Sequence, residues 1–141
     1  MTTEQKLYTK LKTYNYLYWN NIIIMIRYHN TSGNIKIAEL TDKSFIINEA
    51  QDMLDLIAEI GMNDCNTLVI YDFNLNPVFF DLKTKLAGDI LQKFSNYRSR
   101  LAIIGDFSGF TCKSLRDFIR ECNRGKMIFF TDSLESALNK F

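Results

Sequence analysis

The chain has 141 residues, 47% of them apolar and 23% charged, with a formal net charge of +1 at pH 7. That length and mix suit one domain around a single hydrophobic core. A charge so close to zero supplies no overall field that would draw in nucleic acid or an acidic surface. The longest apolar run near the start, Ile22 to Ile26, falls far short of the roughly 20 residues that cross a bilayer and of a signal-peptide core. Cys65, Cys112 and Cys122 are odd in number and widely spaced, which fits neither a Cys-x-x-Cys metal pair nor a disulfide framework. Reduced thiols in a cytoplasmic protein are the expectation.

Residues 1–21 differ in character from the rest, with Tyr8, Tyr14, Tyr16, Tyr18 and Trp19 interleaved with Lys6, Lys10 and Lys12. Leu7, Leu11, Tyr14 and Tyr18 recur at helical spacing, so one reading is a short amphipathic helix for a membrane surface or a second subunit. The other is an appendage, or a translated upstream region, ahead of a compact domain starting at Met25. The chain therefore divides into an N-terminal extension, 1–21, and a single α/β domain, 22–141.

Residues 22–29 and 34–40 flank the turn signal Asn30-Thr-Ser-Gly33 and read as a β-hairpin, with Lys43 to Ile47 as a further short strand. Asn48, with Gln51 three residues on, has capping-box spacing for a helix whose apolar stripe is Ala50, Met53, Leu54, Ile57 and Ile60. Gly61 is its natural stop. Three segments then share one design, an apolar strand ending in aspartate: Leu68 to Asp72, Leu101 to Asp106 and Met127 to Asp132. Continuous apolar runs of this length suit parallel strands buried on both faces.

Each strand leads into a helical pattern. After Pro77 comes a helix burying Leu82, Leu86, Ala87, Ile90, Leu91 and Phe94, in which Gly88 implies a close backbone approach to the sheet. After a cap at Thr111, the next buries Leu115, Phe118, Ile119 and Cys122 and ends near Gly125. Asp132-Ser-Leu-Glu135 repeats the capping-box spacing before a last helix burying Leu134, Ala137, Leu138 and Phe141. The order β-β-β-α-β-α-β-α-β-α predicts a mixed, mainly parallel sheet of five to six strands flanked by four helices.

From about Met25 onward the chain resembles a bacterial family described as domain of unknown function 4180. The likeness lies in Asn74-Leu-Asn-Pro-Val-Phe-Phe-Asp-Leu-Lys-Thr84, Leu86-Ala-Gly-Asp-Ile-Leu-Gln-Lys-Phe-Ser95, Leu101-Ala-Ile-Ile-Gly-Asp-Phe107, Lys113-Ser-Leu-Arg-Asp-Phe-Ile119 and Phe130-Thr-Asp-Ser-Leu-Glu135. It implies no particular activity. The element order is also similar to the STAS fold of anti-sigma-factor antagonists. That likeness implies a partner kinase or sigma regulator and a phosphorylated hydroxyl after the central strand. Here the matching stretch, 72–84, holds no serine, and Thr84 is its only hydroxyl. A phosphate there would add about −2 of charge close to a helix N-terminus.

If the Asp-ended strands run parallel, Asp72, Asp106 and Asp132 share one rim, where open α/β sheets place their sites. Three carboxylates could serve a hard cation, or each could cap a turn or helix. On the same rim Phe79 and Phe80 cannot both face inward on one helical turn, and Asp81 and Lys83 flank them. An exposed aromatic beside charges suits a partner anchor; the competing reading packs both rings under the loop. Arg116, Arg120 and Arg124, with Lys113 a turn earlier, form a basic row that would dock an acidic partner or be a solvated face softened by Asp117 and Glu121. Asp52, Asp55 and Glu59 offer the opposite bias for a homodimer.

Cys112 in a first helical turn would be an activated thiol, but the lone His29 lies in the opening hairpin, far along the chain. No Gly-x-Ser-x-Gly elbow, P-loop or dinucleotide fingerprint occurs, and Ser108 reads as a turn residue. The residues therefore point to a non-catalytic, cytoplasmic regulatory module, without cofactor or metal. It would bind another protein, not nucleic acid or membrane, through Asp72, Asn74, Asn76, Phe79, Asp81, Lys83, Thr84 and Asp106. The alternative is a small-ligand protein or minor enzyme with an acidic pocket at the same rim.

Overall fold

The computed structural model describes residues 14–19 and 22–141, with side chains from Ile24 onward. It contains β1 (Tyr14–Trp19), β2 (Ile22–Asn30), β3 (Lys36–Leu40), α1 (Ala50–Gly61), β4 (Thr67–Tyr71), α2 (Leu86–Asn96), β5 (Arg100–Ile104), α3 (Lys113–Arg124), β6 (Ile128–Thr131) and α4 (Leu134–Asn139). Three short 3-10 turns, Asp72–Asn74, Pro77–Phe80 and Leu82–Thr84, bridge β4 and α2. The fold is α/β with one mixed sheet in which spatial order equals chain order, β1 to β6. The pairs β1–β2 and β2–β3 are antiparallel; from β3 onward every pair is parallel.

That sequential order decides where the helices go. Right-handed crossovers that always step in one direction across a sheet lay their helices on one face. Accordingly α1, α2 and α3 pack on the face carrying Ile24, Ile26, Ala38, Leu40, Leu68, Ile70, Leu101, Ile103, Ile128 and Phe130. The shorter α4 follows the last strand and packs on the opposite face, against Ile37, Val69, Ala102 and Ile104. The parallel strands are thus apolar on both sides, which is why they read as unbroken runs.

Several local expectations change. Tyr14 and Tyr18 lie in a strand, not a helix: β1 pairs with β2, Tyr14 opposite Arg27 and Trp19 opposite Ile22. The alternation Tyr14, Tyr16, Tyr18 was the signal for it. The part of the helical reading that involves Leu7 and Leu11 lies outside the described residues. Lys43 to Ile47 is not a strand. Ser44 turns back to Asp42, its N–H and Oγ donating to Oδ1 at 2.9 and 2.6 Å, and only Ile47 forms a bridge, to Leu75.

The helix ends differ too. Asp52, not Gln51, closes the start of α1, its Oδ2 accepting the N–H groups of Asn48 and Glu49 at 2.9 and 3.1 Å. The left-handed turn after α1 falls on Asp64, with φ 57°, and not on a glycine. Cys112, not Thr111, occupies the position before α3, without a side-chain cap. Ser133, not Asp132, caps α4, its Oγ accepting from the Ser136 N–H at 3.1 Å. Gly88 has nothing within 4 Å of where a Cβ would stand, so no close approach to the sheet explains it. Gly88→Ala is expected to stabilise the protein by about 1 kcal/mol, the helix-propensity difference, read as a higher urea midpoint at unchanged slope.

The outer edge of β6 is blunted by a side chain. Asn123 Oδ1 accepts the Phe130 N–H at 2.7 Å and its Nδ2 donates to the Phe130 carbonyl at 3.3 Å. The amide stands where a seventh strand would pair. Asn123→Ala is expected to cost about 1–2 kcal/mol and to produce concentration-dependent association in light scattering.

Candidate functional site

The carboxyl ends of the parallel strands form one rim. β4 and β5 run side by side with Tyr71 opposite Ile104, which brings Asp72 against Gly105. A Cβ on Gly105 would stand 2.6 Å from Asp72 Oδ2 and 2.8 Å from Asp72 Cβ, so this glycine is required by the approach of its neighbour. Gly105→Ala is expected to cost about 1–3 kcal/mol through overpacking. Asp72→Gly should restore much of it in a double-mutant cycle followed by urea unfolding.

Asp106 is exposed and makes an Asx turn, its Oδ1 accepting from the Ser108 N–H at 3.0 Å and Oγ at 2.6 Å. Those bonds hold its carboxyl below the usual carboxylate range. Asp106 and Asp132 line one cleft of about 480 Å³ together with Gly105, Ser108, Thr131 and Lys140. Asp72 sits outside this cleft, against Gly105. No cluster of three or more metal-type side chains occurs among the described residues.

The loop 72–85 is divided between fold and surface. Asn74 is fully buried. Its Oδ1 accepts the Tyr71 N–H at 3.0 Å, and its Nδ2 donates to the carbonyls of Asp42 and Phe45 at 2.9 and 3.0 Å. Phe79 is 1% exposed and meets Phe130 in the core, while Phe80 stacks on Phe110 at 5.0 Å and reaches Phe107. Both side chains, expected at the binding surface, are buried in the fold. Asn76 caps the Pro77–Phe80 turn through the Val78 N–H at 3.0 Å and ties the loop to Asn48 at 2.9 Å. The Thr84 hydroxyl lies 2.8 Å from two carbonyls, those of Val78 and Asp81. Asp81 Oδ1 accepts the Lys83 N–H at 3.1 Å, and both side chains are exposed.

The basic row on α3 is an exposed face, and three of its four cations meet an acid on the same helix. Lys113 and Arg120 reach Asp117 at 3.0 and 3.2 Å, and Arg124 reaches Glu121 at 3.5 Å; such pairs add little to stability. The Lys113 bond is the main reason the Asp117 carboxyl sits below its usual range. Cys112 is exposed.

A polar relay on the α4 side of the sheet was not legible as a site. Glu39 is 5% exposed. The Nε2 of His29 lies 2.8 Å from its Oε1, and Tyr71 donates its hydroxyl to Oε2 at 2.7 Å. Burial, then the Glu39 bond and charge, push the Tyr71 hydroxyl up to about 12. The ring of Phe73 stacks on Tyr71 at 5.0 Å and 3° between planes, so the relay ends at the rim. The signal available in sequence was a glutamate in step with Ile37 inside an apolar strand.

The model of the family described as Domain of unknown function (DUF4180) matches residues 32–141. The chain belongs to this family. The DUF4180 match begins inside the β2–β3 turn, so it takes in the whole rim, Glu39 and Tyr71, and leaves His29 ahead of it. Nothing matches the chain among the curated proteins or the solved structures. No described helix is long and apolar enough to cross a membrane.

Proposed function

We propose that this DUF4180 protein is a non-catalytic regulatory module of the cytoplasm that binds another protein through the carboxyl rim of its sheet. The observation that carries this reading is where large apolar side chains stay exposed. Among the described residues these are Ile46, Met62, Phe73, Val78 and Tyr97. Three of them, Ile46 at 39%, Phe73 at 41% and Val78 at 43%, lie on two segments bridged at the ends of β3 and β4 by Ile47 and Leu75. Met62 and Tyr97 stand singly past helix ends, as scattered apolar residues commonly do. Exposed apolar anchors on a loop that also carries Asp72, Asp81 and Lys83 have the make-up of a protein-binding surface.

The working residues are then Phe73, Val78 and Ile46, with Asp81, Lys83 and Asp106 as exposed charges. Asn74, Asn76 and Thr84 hold the loop in shape behind them. The test is a photo-crosslinking amino acid placed at Val78 or at Met62 in the native cell. A discrete adduct from Val78, absent from Met62 and lost with Phe73→Asp, is expected. Equal labelling from both positions would sink the proposal.

A second reading is favoured by the cleft that holds Asp106, Asp132 and Lys140: a small polar ligand bound at the same rim. A thermal-shift screen separates the two. A ligand at about 100 times its Kd adds about 2.7 kcal/mol of stability, and Asp132→Ala would remove that shift without affecting crosslinking from Val78.

A further inference from the structure

A concavity away from the rim lies between α2 and α3 at the start of β6. It holds about 630 Å³, and its lining includes Leu91, Phe118, Cys122, Met127 and Ile128, with Gly88, Glu121 and Lys126. We propose that this groove binds a small amphiphile with an aliphatic chain and an anionic head.

Four observations carry the assignment. The volume falls within the range of small-molecule sites, about 300–1,000 Å³, and the lining is apolar with few polar groups, as such sites are. Gly88 lies inside a helix, where glycine is unfavourable, and its backbone does not require it: it is not among the residues with positive φ. No neighbouring atom lies within 4 Å of where its Cβ would be. The feature its missing side chain leaves open is the groove.

The charges on the lining set the head group. Lys126 is exposed and pairs with no described side chain, and Glu121, which also lines the groove, is met by Arg124 at 3.5 Å. Cys122 is half-buried, and burial ahead of the Glu121 charge pushes its thiol up to about 11. It therefore forms a neutral part of the wall.

Decanoate, kept below its micelle concentration, is the probe, titrated into protein carrying labelled methionine methyl groups. Met127 lines the groove and Met62 is 80% exposed elsewhere. A saturable shift of the Met127 signal with Met62 unmoved is expected. Gly88→Leu, which places a side chain in the groove, should abolish the shift while the protein still melts cooperatively. Lys126→Ala, and decyltrimethylammonium in place of decanoate, should each weaken it. No shift in the wild type, or an unchanged shift in Gly88→Leu, overturns the proposal. Equal binding of the cationic probe overturns the assignment of the head group. A Met127 shift that follows protein concentration without decanoate overturns it in favour of a second copy of the chain. None of these outcomes depends on the rim, so the groove and the proposed function stand or fall separately.

Discussion

Asn74→Ala is expected to destabilise the protein by about 3–4 kcal/mol, one of the largest losses available from a single side chain here. The amide is fully buried and makes three bonds, one to the backbone N–H of Tyr71 and two to the carbonyls of Asp42 and Phe45. Alanine leaves all three backbone groups with no partner in a place that water reaches poorly. The loss is not only local, because Asn74 holds the loop after β4 against the segment after β3, and its own carbonyl accepts the Ile47 N–H at 2.7 Å. Asn74→Asp separates the contributions: it keeps the acceptor for Tyr71 but faces two carbonyls with a carboxylate. It should be at least as damaging as alanine. Urea unfolding gives both values, and a loss below about 1 kcal/mol for alanine would contradict the account of a buried clamp. Because Phe73 and Val78 ride on this loop, crosslinking from Val78 should weaken under conditions where Asn74→Ala is still folded.

Glu39→Ala is expected to cost about 2–3 kcal/mol, and Glu39→Gln about 1–2 kcal/mol. The smaller loss reflects a hydrogen-bonding group of the same size left in place. The relay also makes a pH prediction whose sign follows from proton counting. Tyr71 has its hydroxyl raised to about 12, against about 10 in an unfolded chain. Between those values the folded state holds a proton that the unfolded state has lost. Stability from this group is therefore fully present below about pH 10 and falls as the pH rises towards 12. In Glu39→Gln the Tyr71 value should drop but remain above 10, since burial is its first cause and the carboxylate only its second and third. The measurement is tyrosinate absorbance, with Tyr71→Phe subtracted to isolate this one residue from the seven tyrosines. A Tyr71 value unchanged in Glu39→Gln would show that the carboxylate exerts no field on it.

What could be read in advance follows a physical boundary. The unbroken apolar runs ending at Asp72, Asp106 and Asp132 identify parallel strands because burial on both faces leaves no room for polar alternation. The rim follows from those runs, because strands that point alike must end together. The helices between them are legible from the 3.6-residue spacing of groups such as Met53, Ile57 and Ile60. These are periodicities of a single segment, and one chain carries them whole.

What only the tertiary structure decided are relations between segments far apart in the chain. Phe79 and Phe80 have the same side chain. Their fates differ because one meets Phe130 and the other Phe107 and Phe110. Asn74 reads as a loop asparagine until the segment after β3 closes over it. The meeting of His29, Glu39 and Tyr71 depends on diagonal register across three strands, and the strand pattern alone does not specify register between strands. The α2–α3 groove is the product of two helices held side by side above the same sheet. Local spacing determined the central strands and helices, and the pairing of distant elements determined which of their side chains remain free to act.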